Sequence, residues 1–291
     1  MPTPFPPYEP HGPEDEELDE GRGPRLREIP FRMLVPNLIT VLAICAGMTG
    51  IRLAFENRFE MAVAMVLIAA FLDGIDGRVA RLLKAQSKFG AQMDSLADIV
   101  NFGVAPALVL YVFILDQARS FGWIAAIVFA VAAGLRLARF NVISETTAKS
   151  AWQSYYFVGV PAPAGAMLVL LPIYLGFLGM PIDKSTGFIA AAYTMFIGFL
   201  LVSRVPVFSG KGSSGGVRRD LVMPFILAAV VYVSLLMSFT WETLTLTALG
   251  YLVSLPFGAR AWSRKYGPMS RLKTQQDAAD SGSDAGEDPK D

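Results

Sequence analysis

Four aspartates stand in an otherwise apolar stretch: Asp73, Asp76, Asp94 and Asp98, within DGIDGRVARLLKAQSKFGAQMDSLAD. Their spacings of three and four residues place each pair on one face of a helix. Two helices joined by the short segment around Gly90 run antiparallel and aim both pairs into one space. A charge at the bilayer centre costs about 2.5–3.5 kcal/mol on insertion scales, and neighbouring carboxylates repel one another. Arg78 and Arg81 offset part of that charge. A divalent cation offsets the rest most simply, and an all-oxygen ligand set favours Mg2+, Mn2+ or Ca2+ over Zn2+. Gly77 and Ala80 remove bulk beside the carboxylates, so a ligand can approach the backbone. Arg81, one turn beyond Gly77, offers the planar fork that suits phosphate. The plainer alternatives are charges that snorkel to water and small residues that serve helix packing.

Other catalytic chemistry lacks material. The sole cysteine, Cys45, lies in an apolar segment and is expected to be a small buried residue. The sole histidine, His11, lies in an acidic N-terminal stretch. Ser–His–Asp, Cys–His and His–metal arrangements are therefore excluded, and acid–base or metal chemistry falls to the carboxylates.

The elements that must position them are membrane helices. The 291 residues are 53% hydrophobic and 17% charged, with a mean hydropathy of +0.45. A span needs about 20 apolar residues, and eight stretches qualify: 34–55, 59–83, 91–115, 120–143, 160–179, 185–204, 220–239 and 244–260. The expected fold class is an all-α polytopic membrane protein with about eight transmembrane helices. Residues 1–30 and 266–291 read as disordered acidic tails around a transmembrane domain, 31–265. With alternating spans and a cytoplasmic N-terminus, only Arg52, Arg58, Arg119 and Lys184 of the 25 Lys and Arg residues lie on the far side. That asymmetry predicts cytoplasmic termini, and the aspartates then open to the cytoplasm. Residues 144–158 are too polar to span. Their Trp152, Tyr155 and Tyr156 suit the membrane interface, although a plain loop accounts for them equally well. Nothing points to a nucleic-acid partner.

Asp73, Asp76, Gly77, Ala80, Arg81, Gly90, Asp94 and Asp98 match D-x-x-D-G-x-x-A-R-x8-G-x3-D-x3-D at every defined position. This pattern resembles the signature of the CDP-alcohol phosphatidyltransferases. Within that family, VPNLITVLAICAGMTGI, GLRLARFNV, FVGVPAPAG and LVSRVPVFSGK resemble segments of the bacterial membrane-type phosphatidylserine synthases. The resemblance covers about residues 34–211. It implies a six-helix core, here with two further helices, and a multi-pass homodimer in the bacterial inner membrane with a cytoplasmic active site. It also implies transfer of a phosphatidyl group from CDP-diacylglycerol to L-serine with release of CMP.

Residue by residue, the resemblance implies that Asp73, Asp76 and Asp94 ligate Mg2+ or Mn2+. Asp98 would complete a second metal site or act as general base. Gly77, Ala80, Arg81 and Ser87 would contact the CDP part, and Asn37 and Thr40 the phosphate end. Serine's carboxylate needs a cation, and the candidates are Arg136, Arg139, Arg204 and Lys211. These four can equally serve orientation and contact with anionic lipid. The signature reads only the CDP end, so glycerol phosphate, inositol phosphate or choline stay open as acceptors. A cation transporter is the reading from another class. It would place acids at mid-depth on several helices rather than at one end of two.

Overall fold

Lipid cannot hydrogen-bond a polypeptide backbone, so apolar sequence of this kind must satisfy its own amides, and helices do so. The computed structural model describes residues 31–145, 156–203, 206–208 and 219–258. The tails expected at either end of the chain lie outside these residues, as do Trp152 and Tyr155.

The chain begins with α1 (Phe31–Phe55), α2 (Phe59–Leu82) and α3 (Lys88–Asp98). A π-turn, Ile99–Val104, joins α3 to α4 (Ala105–Phe113). A 3-10 turn, Leu115–Ala118, leads to α5 (Ser120–Glu145). There follow α6 (Ala162–Val169), α7 (Leu171–Phe177), α8 (Lys184–Val202) and α9 (Arg219–Ser238). Residues 240–258 form a further helix, α10. α1 packs along α2, and α5 along α8. The core between them centres on Leu110, Phe129, Ile173 and Tyr174, all fully buried.

Four stretches are long and apolar enough to cross a bilayer: Leu34–Phe55, Lys88–Phe113, Ser120–Val142 and Lys184–Val202. Ala162–Phe177 and Val222–Ser238 are shorter apolar helices. By these helices the protein is a multi-pass membrane protein. α2 has the length, but Asp73, Asp76, Arg78 and Arg81 lower its apolar character.

The third and fifth spans depart from simple helices, and proline is the cause in both. Pro106 has no N–H to give the carbonyl one turn back. Just before it the chain widens, and the Ala105 amide donates to the Val100 carbonyl, five residues away. Pro172 likewise cannot donate to Leu168, and the fifth span breaks into α6 and α7. The Tyr193 hydroxyl on α8 donates to the Leu168 carbonyl at 2.8 Å instead, so the break leaves that oxygen satisfied.

The fold is helical as expected, with one short addition: β1 (Tyr156–Val158) pairs antiparallel with β2 (Pro206–Phe208), Phe157 facing Val207. One expectation needs correction. Cys45 is exposed on α1 rather than buried. A small apolar side chain in a membrane helix has no need of a protein core, because lipid is as apolar as the interior.

Candidate active site

The site forms where α1 begins, α2 ends and α3 begins. α2 stops at Leu82, and the chain turns back through Lys84, whose φ of 50° is rare outside glycine. Ser87 then caps α3: its side chain accepts from the Gly90 amide at 2.9 Å. A Cβ at Gly90 would lie 2.9 Å from Asn37 Oδ1, so the absence of a side chain lets α3 close onto α1. On α1 the Thr40 hydroxyl donates to Asp76 Oδ2 at 2.7 Å and also lies 3.1 Å from the Pro36 carbonyl. The Gly77 amide donates to the other oxygen of Asp76. Asp76 is thereby fixed, at 3% exposure, in a wall shared by α1 and α2.

Carboxylate oxygens of Asp73, Asp76 and Asp94 all lie within 4.8 Å of one another. Asp73 Oδ1 is buried without a hydrogen-bond partner among the described residues. Among the described residues, the ion pairs are Arg52–Glu56 and Arg58–Glu56, far from these groups. Three converging carboxylates, one with an orphaned buried oxygen, fit a hard divalent cation, and the cluster could hold one. Asp98 stands outside that group of three, against Asp73. Arg136 on α5 is within electrostatic reach of Asp98.

Beside the cluster lies a cavity of about 280 Å³. Asn37, Thr40, Gly77, Ala80, Arg81 and Ser87 all line it, together with Asp76 and Asp94. The six residues expected at the CDP end are therefore brought to one space. Gln86 and Ala91 also line it and were not singled out from the sequence. Ala91 adjoins the motif's Gly90 and Gln86 adjoins Ser87, and that adjacency was the available signal.

The four acceptor candidates separate. Arg136 is half-buried, its guanidinium 5.5 Å from the centre of the Phe140 ring and within electrostatic reach of Asp98. Arg139 Nη1 donates to the Val202 carbonyl at 2.8 Å, which commits one arm of that guanidinium to holding the end of α8. Arg204 and Lys211 lie outside the described residues. Sequence reasoning passed over Ser95 and Asn141. The Asn141 amide donates to Ser95 Oγ at 2.9 Å and ties α5 to the helix that carries Asp94 and Asp98. It also passed over Asn101, fully buried in the π-turn with neither amide atom partnered among the described residues. A polar residue seven positions after Asp94 in apolar sequence was the signal there.

Residues 33–203 match the family CDP-alcohol phosphatidyltransferase, and residues 220–256 match CDP-alcohol phosphatidyltransferase 2. The chain is 37% identical over 239 residues to a CDP-diacylglycerol–serine O-phosphatidyltransferase of Mycobacterium leprae, covering 80% of this chain and 77% of the relative. It is 38% identical over 172 residues to the protein of that name from Helicobacter pylori, covering 59% of this chain and 70% of the relative. It is 30% identical over 171 residues to the one from Bacillus subtilis, covering 59% of this chain and 88% of the relative. With an intact signature, an aspartate cluster beside a cavity lined by that signature, and a match across more than half its length, the chain belongs to the CDP-alcohol phosphatidyltransferase family.

Proposed function

We propose that this protein transfers the phosphatidyl group of CDP-diacylglycerol to L-serine, giving phosphatidylserine and CMP. The observation that carries the reading is the convergence of Asp73, Asp76 and Asp94 beside a cavity lined by the remaining signature residues. Serine as the acceptor is supported by the relatives from three organisms, all described as CDP-diacylglycerol–serine O-phosphatidyltransferases.

In this reading the CDP part enters the cavity and passes Gly77 and Ala80, where little side chain obstructs it. Arg81 supplies a planar donor fork to a phosphate. Asn37, Thr40 and Ser87 present polar groups around the rest of the headgroup. Divalent cations held by Asp73, Asp76 and Asp94, Mg2+ or Mn2+, would neutralise the diphosphate and the departing CMP. The serine hydroxyl oxygen bonds to the diacylglycerol-linked phosphorus, the bond from that phosphorus to the CMP oxygen breaks, and the hydroxyl proton passes to Asp98. Asp98 suits the task because it stands against the cluster without being one of the three converging ligands. Arg136 holds the serine carboxylate, and Arg204 and Lys211 remain further candidates for it.

Eight crossings, a six-helix core plus α9 and α10, complete the reading. The helices that are shorter or carry charge count among the eight. The aspartates face the cytoplasm of a bacterial inner membrane because the cations cluster on that side. α9 leaves Met223, Phe225, Leu227 and Met237 strongly exposed. A second copy packed there would make the homodimer, which cysteine crosslinking along α9 tests.

The central experiment supplies purified protein with CDP-diacylglycerol and, in turn, L-serine, glycerol phosphate, inositol phosphate and choline, and measures CMP. Rapid release with L-serine alone is expected, lost on chelation with EDTA and restored by Mn2+ or Mg2+. Faster release with another acceptor would move the protein to another branch of the family. Full activity in metal-free buffer would remove the metal role.

A further inference from the structure

α10 carries several hydroxyls, and most return to their own helix. Thr245, Thr247 and Ser254 each donate to a carbonyl about one turn back, while Thr240, at the start of α10, donates to Leu236 at the end of α9. Tyr251 is too long to do the same. Its ring packs against the main core, yet its hydroxyl oxygen is buried with no hydrogen-bond partner among the described residues. A buried, unpartnered hydroxyl costs about 1–3 kcal/mol, so its place calls for a reason.

The neighbourhood supplies one. The Arg136 guanidinium is within electrostatic reach of both the Tyr251 hydroxyl and the Asp98 carboxylate. Asp98 comes from α3, Arg136 from α5 and Tyr251 from α10, so a carboxylate and a phenol on two other helices both act on the one guanidinium. None of the three lines the cavity assigned to the CDP end, which draws on α1, α2 and the start of α3. The remaining substrate must present its hydroxyl to Asp98 and has a carboxylate to be neutralised. A guanidinium and a phenolic O–H are two donors for one carboxylate.

We infer that Tyr251 is a specificity-determining residue for the acceptor: its hydroxyl donates to the amino-acid carboxylate that Arg136 also binds, and so sets the acceptor's own hydroxyl at Asp98. The inference rests on the proposed serine transfer. It assigns α10 a part in selecting the acceptor. It also separates the ends of the reaction, since α1 and α2 hold the nucleotide and α5 and α10 hold the acceptor.

The test compares L-serine with ethanolamine, which is serine without its carboxylate. Tyr251→Phe keeps the ring that packs on the core and removes only the hydroxyl. In the full-length protein it is expected to raise the KM for L-serine about tenfold, leave the KM for CDP-diacylglycerol unchanged and leave kcat/KM for ethanolamine unchanged. A structural role would impair all three parameters together, raising both KM values and lowering kcat/KM for ethanolamine. Arg136→Gln is expected to raise the serine KM as well. The double variant should cost less than the two single effects multiplied, because both residues hold one carboxylate. Independent multiplication of the two effects, or an unchanged serine KM in Tyr251→Phe, would overturn the inference and leave the serine transfer standing. CMP release by the unaltered protein that is no faster with L-serine than with no acceptor at all would overturn both.

Discussion

At the end of the bundle where α2 finishes and α3 begins, Gly77 has nothing within 4 Å of the place its Cβ would occupy. At the other end, a Cβ on Gly122 would sit 1.8 Å from the Leu115 carbonyl oxygen. The first end holds a cavity of about 280 Å³, three converging carboxylates and an orphaned buried oxygen. The second holds edge-to-face rings, Phe59 on Phe113 at 5.0 Å and Phe113 on Phe177 at 5.6 Å, with Trp241 4.3 Å from Phe177. The same helices run through both. Close packing at one end fixes the relative placement of helices whose other ends are held apart around a site. Site residues should therefore govern turnover with little effect on stability, and residues at the packed end the reverse.

Asp98→Asn gives the largest expected effect. The amide has nearly the carboxylate's shape but cannot take the proton, and turnover should fall about 10²- to 10⁴-fold. Thermal unfolding in detergent should not fall with it, because the change removes a charge from a crowd of like charges. A variant that unfolds early while each folded molecule turns over normally would place Asp98 among the structural residues and undo the contrast between the two ends.

Gly122→Ala tests the other end. No rotamer relieves a backbone contact of that kind, so α5 or the 3-10 turn before it must shift. A loss of about 1–3 kcal/mol in stability is expected, with poor accumulation in the membrane. Any fraction that folds should show a near-normal KM for CDP-diacylglycerol. Unimpaired expression and melting would show that the Leu115 turn yields freely.

Gly77→Ala reverses the outcome. Alanine has room there and is a better helix former by about 1 kcal/mol, so the melting temperature should hold or rise. The methyl group narrows the approach to the headgroup site, and kcat/KM for CDP-diacylglycerol should fall about tenfold, equivalent to about 1.4 kcal/mol. Loss of stability with intact kinetics would mean that the space at Gly77 belongs to helix packing.

Much of the site was legible because helical spacing is local. The offsets between Asp73 and Asp76, and between Asp94 and Asp98, carry their geometry in the sequence. Gly90, expected in the connection between the two helices, lies instead inside α3, and the turn precedes it. Four of the eight expected spans were legible as long apolar helices, because apolar length is the constraint the bilayer imposes. What could not be read depends on distant residues. Gly77 and Gly122 are identical letters, and only neighbouring helices distinguish space for a ligand from contact with a carbonyl. Arg136 and Arg139 sit three apart on α5, yet one lies over the Phe140 ring within electrostatic reach of Asp98 and the other donates to Val202, a partner 63 residues away. The β1–β2 pairing joins segments about 50 residues apart, each only three residues long, too short to show a periodicity.

The smallest effect belongs to a polar group beyond the site. Asp183 caps α8: its Oδ1 accepts from the Thr186 amide at 2.8 Å, while Thr186 Oγ1 accepts from the Asp183 amide at 2.9 Å. Hydrogen bonds from the Thr186 amide and hydroxyl favour the charged carboxylate and hold Asp183 below its usual range. A carboxyl group whose affinity for protons is lowered by folding stabilises the fold above its ordinary pKa, and that contribution is lost as pH falls through the lowered value. Asp183→Ala should therefore lower the melting temperature slightly at neutral pH. The gap to the unaltered protein should close as pH falls below the carboxylate range. Turnover should stay unchanged, because this cap begins α8 at the end away from the aspartates. Melting curves of the two proteins across that pH range decide the matter. A gap that persists undiminished in acid would show that the uncharged side chain caps as well as the carboxylate. A fall in turnover would show that the capped end of α8 communicates with the aspartates.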